Sequence, residues 1–394
     1  MAAETIAPEE LMPSIPPVVE EKDLETVEMT INMGPQHPST HGVFRMVLTL
    51  EGERVRKVEP YIGYLHRGAE KLGESGDIEG YRKAVIWLDR TDYLSVWPNE
   101  HAYVLCLEKL TGIEVPERAE LVRLILGEVG RIQSHSMFYG AFGADAGATT
   151  PFMYAFALRE ECYQFNEAVG GARFFPNYFR PGGLREDVPA DFPRRVTRLL
   201  DAARRAIDDY DRLITDNEIF LARTRGVGVI SPERAIDLGL SGPVLRATGL
   251  PFDVRRLEPY SLYHRYDFDI PVGTRGDCYD RYLIRIEEMR QSVRIIEQAL
   301  RDFEQTRPGD FMGNAPKALR PPKGDAYQRI ENARGDFGVY IVSDGRSPAP
   351  YRVKYRSPCF CNLQALNDLV EGLYVADAVL ALGSLDIVLG EVDR

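Results

Sequence analysis

The sequence predicts an α+β protein in which helices predominate. Apolar residues recur at helical spacing through most of residues 76–305, while short alternating, β-branched segments gather only near the two ends, in 27–75 and 336–394. Residues 1–26 are acidic, hold four prolines and keep no period, so they read as a flexible tail. Residues 306–335, rich in Pro and Gly, read as an irregular connection between the helical body and a C-terminal α+β region.

Taken in order, Val27–Met33, Val43–Leu50 and Val55–Tyr61 predict a small N-terminal antiparallel sheet, with Glu51-Gly52 turning between the last two. The first connection, Gly34–Gly42, is braced by Pro35 and Pro38, and loops of this kind often carry function on a rigid base. Pro116 opens the clearest helix, with Glu117 and Glu120 favourably placed against its dipole. Leu121, Ile125, Val129 and Ile132 then mark a core face, while Gly127 and Gly130 on the other face indicate close packing. Thr150–Val169, Pro193–Ile214 and Tyr279–Phe303 predict further helices, giving a bundle of long helices. Phe337–Val342 and Tyr351–Tyr355 predict two strands, and a final helix is expected near Leu363–Leu382. The chain shows no internal repeat.

Composition narrows the function classes. Sixty acidic residues against 48 Lys plus Arg give a net charge of −12 over 394 residues. That argues against a nucleic-acid partner, which calls for a basic excess. Eight of the acids lie in residues 1–28 beside a single base, so the rest of the chain is nearly balanced. No apolar run reaches the roughly 18–20 residues that cross a bilayer; Leu373–Gly383 is short and is interrupted by Asp377. The opening residues lack the basic and apolar segments of a secretory signal. Five cysteines, at 106, 162, 278, 359 and 361, suit a reducing compartment better than a disulfide framework. A soluble intracellular chain is expected, with membrane contact only through partners.

Generic catalytic motifs are absent: there is no P-loop, nucleophile elbow or metalloprotease helix. Cys359-Phe-Cys361 is a bare pair with no nearby His or second pair, so two half-buried thiols outweigh a metal site. Four stretches are unusually dense in Gly, Pro, His and Arg: Gly34–Gly42 with His37 and His41, Tyr61–Lys71, Asp89–Tyr93, and Glu128–Gly147 with Arg131, His135 and Asp145. A histidine in a braced loop is usually a satisfied turn residue. With six histidines in the chain, two within five residues make a functional role about an even choice. Arg90 beside Asp92 serves equally well as a local ion pair.

These stretches resemble the D subunit, or 49-kDa subunit, of NADH:quinone oxidoreductase (respiratory complex I), a family related to the large subunit of nickel–iron hydrogenases. The matching text includes Asn32-Met-Gly-Pro-Gln-His-Pro-Ser-Thr-His-Gly42, Gly63-Tyr-Leu-His-Arg-Gly-Ala-Glu-Lys71, Arg90-Thr-Asp-Tyr93 and Arg131-Ile-Gln-Ser-His135. It continues through Asp145-Ala-Gly-Ala, Arg225-Gly-Val-Gly-Val, Arg275-Gly-Asp-Cys-Tyr-Asp-Arg, Tyr351-Arg-Val-Lys and the final Gly390-Glu-Val-Asp-Arg394.

The resemblance implies a hydrogenase-large-subunit-like fold and a peripheral-arm subunit of a proton-pumping NADH:quinone oxidoreductase, on the cytoplasmic side of the plasma membrane. Its substrate is then a quinone. The implied partners are a B subunit holding the terminal iron–sulfur cluster, the C and I subunits and the membrane H subunit. Other subunits use NADH, this chain holds neither metal nor flavin, and in isolation it is expected to be inactive. The family's roles map onto His41 and Tyr93 as contacts of the quinone head group, with Asp145 orienting and recharging His41. Arg90, Arg131 and His135 are implied to lie near the partner's cluster. Phenol and imidazolium suit the task, because each donates a hydrogen bond as charge develops on quinone oxygens.

The chain also departs from its relatives. The first cysteine pair of the hydrogenases is replaced here by Asp92-Tyr93, so Cys359 and Cys361 lack the partners of a four-thiolate nickel site, and hydrogen chemistry is rejected. Phe175 stands where family members commonly carry a histidine that titrates with the terminal cluster. Residues 306–327 lack the family's usual helix, so a contact surface with a neighbouring subunit is expected to be trimmed or filled differently. Two alternatives remain: a structurally retained scaffold that no longer binds quinone, and a subunit of a related membrane-bound complex with another electron donor.

Overall fold

The computed structural model describes residues 28–75, 80–316 and 318–394; the tail expected over 1–26 lies outside them. Strands β1 (Glu28–Met33), β2 (Arg45–Glu51) and β3 (Arg54–Tyr61) form an antiparallel sheet in that order. Along β2, Met46, Leu48 and Leu50 are buried and their neighbours are not, as the two-residue period of a strand requires. Glu51 pairs with Arg54 across a two-residue turn in which Gly52 takes φ 61°.

The body is built on five long helices: α1 (Val96–Thr111), α2 (Glu117–Asp145), α3 (Thr150–Gly170), α4 (Phe192–Tyr210) and α5 (Cys278–Phe303). Pro116 caps α2 in an extended conformation, and the 29-residue helix that follows packs against α1, α3 and α5. Two glycines set how close its neighbours come. A Cβ on Gly140 would stand 2.9 Å from that of Ala155 on α3, and one on Gly130 would stand 3.3 Å from the Pro98 ring on α1. The helix expected over Pro193–Ile214 is α-helical to Tyr210 and finishes in a π turn over Asp211–Thr215.

Two expectations need correction. Residues 306–335 are not irregular throughout, because β4 (Gly324–Asn332) heads a second antiparallel sheet with β5 (Gly335–Ser343) and β6 (Arg352–Arg356). Its polar text hides it. Glu331 and Asn332 are buried like the apolar Ile330, and they bond to buried Arg246 and Asp92. The helix expected over Leu363–Leu382 is broken into Pro358–Leu363, Leu366–Val370 and α6 (Val375–Leu385). The break falls at Gly372 (φ 80°), whose N–H donates to Val55 O while Val55 N–H donates to Leu373 O. Pairing with β3 replaces helix there.

The buried apolar residues form two cores. One fills the helical body and the second sheet; the other joins β2 and β3 to the C-terminal segments around Leu363, Leu382 and Val392. The first sheet and the C-terminal segments therefore share one core, set against the end of α2.

Buried charge runs through the helical body. Glu128 accepts from Arg131 Nε (3.2 Å), Arg255 Nη1 (3.1 Å), Tyr263 Oη (2.6 Å) and Ser292 Oγ (2.6 Å). Burial alone would raise its carboxyl, but the two guanidiniums and these donors hold it down at about 2. Glu288 likewise accepts from Arg246 (2.6 Å) and bonds to His135 Nε2 (2.8 Å). Such a network is costly to break from one side, because the remaining charges stay buried. Glu128→Ala is expected to lower stability by about 3–5 kcal/mol, read as a fall in the urea midpoint of the purified chain; an unchanged midpoint would contradict this role.

Candidate functional site

The braced loop after β1 folds into a single 3-10 turn, Pro38–Thr40. The His37 ring accepts the Ser39 N–H at 3.2 Å, and the buried Thr40 hydroxyl donates to Pro35 O (3.0 Å) and His37 O (2.9 Å). His41 closes the turn in the left-handed region, at φ 55° and ψ 14°. Few non-glycine residues sit there, and those that do are often held for function.

Tyr93 reaches the same place from the turn before α1. Asp92 accepts the N–H groups of Leu94 (3.1 Å) and Ser95 (3.2 Å) and also binds Arg334 Nη1 at 2.9 Å, so the tyrosine stands on a fixed turn. Gly390 allows the ring its position, since a Cβ there would lie 2.9 Å from Tyr93 Cε1. Asp145, the last residue of α2, supplies the third group, and its Oδ1 accepts the Ser39 hydroxyl at 3.4 Å.

His41, Tyr93 and Asp145 line one cavity of about 110 Å³, walled by Phe138 and Phe142 of α2 and by Leu382, Asp386 and Val388 at the C-terminal end. It opens where the two cores meet. Among the described residues, neither the His41 ring nor the Tyr93 hydroxyl has a hydrogen-bond partner. The volume is below the roughly 300–1,000 Å³ of a closed small-molecule site.

The electrostatics separate the three groups. Burial pushes the Tyr93 phenol up, and the Asp92 charge adds to that. Desolvation lowers the His41 imidazole even though one edge is open to solvent; Asp386 pulls it back up and Arg334 pushes it further down. Burial raises the Asp145 carboxyl to about 6, with only the Ser39 hydroxyl opposing.

The remaining expected residues lie elsewhere. Arg90 is partly exposed; its guanidinium covers the Phe175 ring at 4.6 Å and binds Asp89 Oδ1 at 3.0 Å. Arg131 and His135 are sealed within the helical body, bound to Glu128 and Glu288. Desolvation lowers His135 below an ordinary imidazole, with the bond to Glu288 opposing. Cys359 is buried and Cys361 half-buried.

Sequence reasoning missed Asp386 and Arg334. Arg334 donates from Nη2 to Asp386 Oδ1 (3.2 Å) and from Nε to Asp386 O (2.9 Å). The available signal was an aspartate inside an apolar run, Leu380–Leu389, where a buried charge demands a partner.

The fold is a helical body with a small sheet near each end, and one cavity brings together the His41 imidazole and the Tyr93 phenol. The chain belongs to the family described as respiratory-chain NADH dehydrogenase, 49 kDa subunit, which it matches over residues 145–321 and 310–394, and it is thus a subunit of an oxidoreductase complex. It is 50% identical over 370 residues to the D subunit of NADH-quinone oxidoreductase from Desulforamulus reducens, covering 94% of this chain and 99% of the relative. The corresponding D subunit from Dehalococcoides mccartyi is 50% identical over 372 residues, covering 94% of this chain and 100% of the relative. That from Burkholderia cenocepacia is 42% identical over 420 residues, with 94% and 100% covered. Among the described residues, no helix is long and apolar enough to cross a membrane.

The raised Asp145 carboxyl has a consequence for stability. The folded chain binds this proton more tightly than the unfolded one, so stability falls as pH rises from about 4 to 6, and the full cost persists above that window. Asp145→Asn removes the cost. The purified variant is expected to be more stable than the parent at pH 8 by about 1–2 kcal/mol and to match it near pH 4, in parallel thermal melts; a variant less stable at pH 8 would contradict the assignment.

Proposed function

We propose that the chain forms the quinone-facing wall of a proton-pumping NADH:quinone oxidoreductase, beside a partner subunit that holds the terminal iron–sulfur cluster. The supporting observation is the cavity itself, where the His41 imidazole and the Tyr93 phenol stand without protein partners. A quinone takes up two electrons and two protons to become a quinol. Two donors placed at its carbonyl oxygens stabilise the negative charge that develops as electrons arrive, and His41 can pass its proton on. Asp145 holds the loop from below through Ser39, which links the end of α2 to the turn that carries His41. The lining from Phe138, Phe142, Leu382 and Val388 suits an apolar ring.

The electrons come from NADH through other subunits, with a B subunit carrying the cluster and the C, I and membrane H subunits as neighbours on the cytoplasmic face. Exposed apolar side chains support docking of that kind: Met153, Tyr154 and Phe156 at the start of α3, and Tyr61, Ile62 and Tyr64 at and just beyond the end of β3. Arg90 is the surface cation assigned to the cluster side. Arg131 and His135, being sealed, act there only through their field. A fold like the hydrogenase large subunit belongs to the same reading, as do the sequence regions described above, with β4 joined to the C-terminal one.

The test uses membranes containing the assembled complex and compares NADH oxidation by a quinone analogue with oxidation by ferricyanide. His41→Ala is expected to lose quinone reduction and keep the ferricyanide reaction. Tyr93→Phe is expected to raise the quinone KM several-fold, since one hydrogen-bond donor worth about 1 kcal/mol is removed. Full quinone activity in both variants would favour the scaffold alternative.

A further inference from the structure

Among the described residues, Arg159 is a buried cation without a counter-ion. On α3, Phe152, Phe156, Arg159 and Tyr163 recur three or four residues apart and so share one face. The other face, through Ala155, Leu158, Cys162 and Phe165, is buried in the helical core. Arg159 is only 5% exposed. Its Nη1 donates to the Met137 thioether at 2.8 Å, and its buried Nε meets no acceptor among the described residues. The rings of Phe156, Tyr163 and Phe174 surround the guanidinium at 5.5, 5.1 and 6.0 Å. Aromatic faces attract a cation but leave its N–H edges without strong acceptors.

The nearest acids in the sequence are already engaged. Glu160 binds Arg173 at 2.6 Å, and Glu161 binds Arg198 at 3.0 Å. Other buried arginines are provided for within the fold. Arg123, Arg131, Arg246, Arg255 and Arg334 each hold a carboxylate. Arg281 holds none and donates instead to Gly228 O, Gly276 O and Ser384 Oγ. Arg159 has neither arrangement, so its desolvation is not offset inside the chain. Around it the surface is apolar, with Met153, Tyr154 and Phe156 exposed. An arginine framed by aromatic and thioether side chains is the composition of an interface centre.

We propose that this face of α3 is a docking surface centred on Arg159, and that its occupant is an aspartate or glutamate side chain of a neighbouring subunit. The proposal deepens the docking reading of α3 given above and names the group that α3 receives. Charge complementarity selects the occupant, since an apolar or basic segment would seal the guanidinium with its donors still unmet. A carboxylate accepts two parallel N–H bonds from a guanidinium, and the surrounding rings keep water from competing. Met137, which Arg159 holds, also lines the cavity with His41, so the docked side chain stands close behind that wall.

Arg159→Met tests this, because it keeps a stem that packs against the rings and Met137 while removing the charge. Two measurements are read together in parent, Arg159→Met and Arg159→Lys. One is the urea midpoint of the purified full chain. The other is the rate at which the chain leaves the assembled, detergent-purified complex at one fixed sodium perchlorate concentration. In Arg159→Met the midpoint is expected to hold or rise, because an uncompensated buried cation is gone. Release is expected to quicken roughly thirtyfold or more, and failure to assemble with the midpoint intact is the same result in its extreme form. Arg159→Lys, which keeps the charge without the planar fork, is expected to fall between the two in release. Unchanged release in Arg159→Met, or equally fast release in both variants, would overturn the proposal. So would a midpoint that falls in Arg159→Met, which makes the arginine a structural member of the chain. Inorganic phosphate raising the midpoint of the parent but not of Arg159→Met, with release unchanged, would assign the site to a free anion instead. Full quinone turnover in His41→Ala would sink the quinone-site reading alone and leave the release comparison standing.

Discussion

Arg334 lies fully buried on the turn between β4 and β5 and holds two carboxylates at once, Asp92 at 2.9 Å and Asp386 at 3.2 Å. It also donates to Ser134 Oγ of α2 at 2.6 Å. Asp92 fixes the turn that presents Tyr93, Asp386 ends the helix that closes the cavity, and Ser134 belongs to the helix that ends at Asp145. One guanidinium therefore sets the relative positions of three separate parts of the chain. Removing it would leave Asp92 buried without a counter-ion and Asp386 with only Arg285 at 3.7 Å, a loss far larger than that of a surface pair.

The same logic extends through the helical body. Glu128, Glu288, Arg131, Arg246 and Arg255 are buried with their charges, and each is satisfied by partners from distant segments. Replacing such a network by apolar packing would cost little stability in principle. The network ties α2 to α5 and to the segment around Arg246 and Arg255. The apolar side chains left exposed on α3 and at the end of β3 are surfaces of the kind that other subunits cover.

Much of the fold was legible in the sequence. The period after Pro116 marked α2, and alternation marked the first sheet, because both signals are local. β4 was not legible, since Glu331 and Asn332 are buried through ion and hydrogen bonds that alternation does not register. Nor was the break at Gly372, which depends on pairing with Val55 far earlier in the chain. Composition and spacing left His41 an even choice between turn residue and functional group. The resemblance singled out His41, Tyr93 and Asp145, and the structure brings all three to one cavity. Asp386 escaped because its partner Arg334 is 52 residues away and no local pattern joins them.

The measurement that bears most directly on this account is a structure of the assembled complex with a short-tailed quinone bound. One carbonyl oxygen is expected within hydrogen-bond distance of Tyr93 Oη and the other within reach of the His41 ring, with the head group against Phe138 and Val388. A quinone bound away from both residues, with the cavity between them left empty, would contradict it.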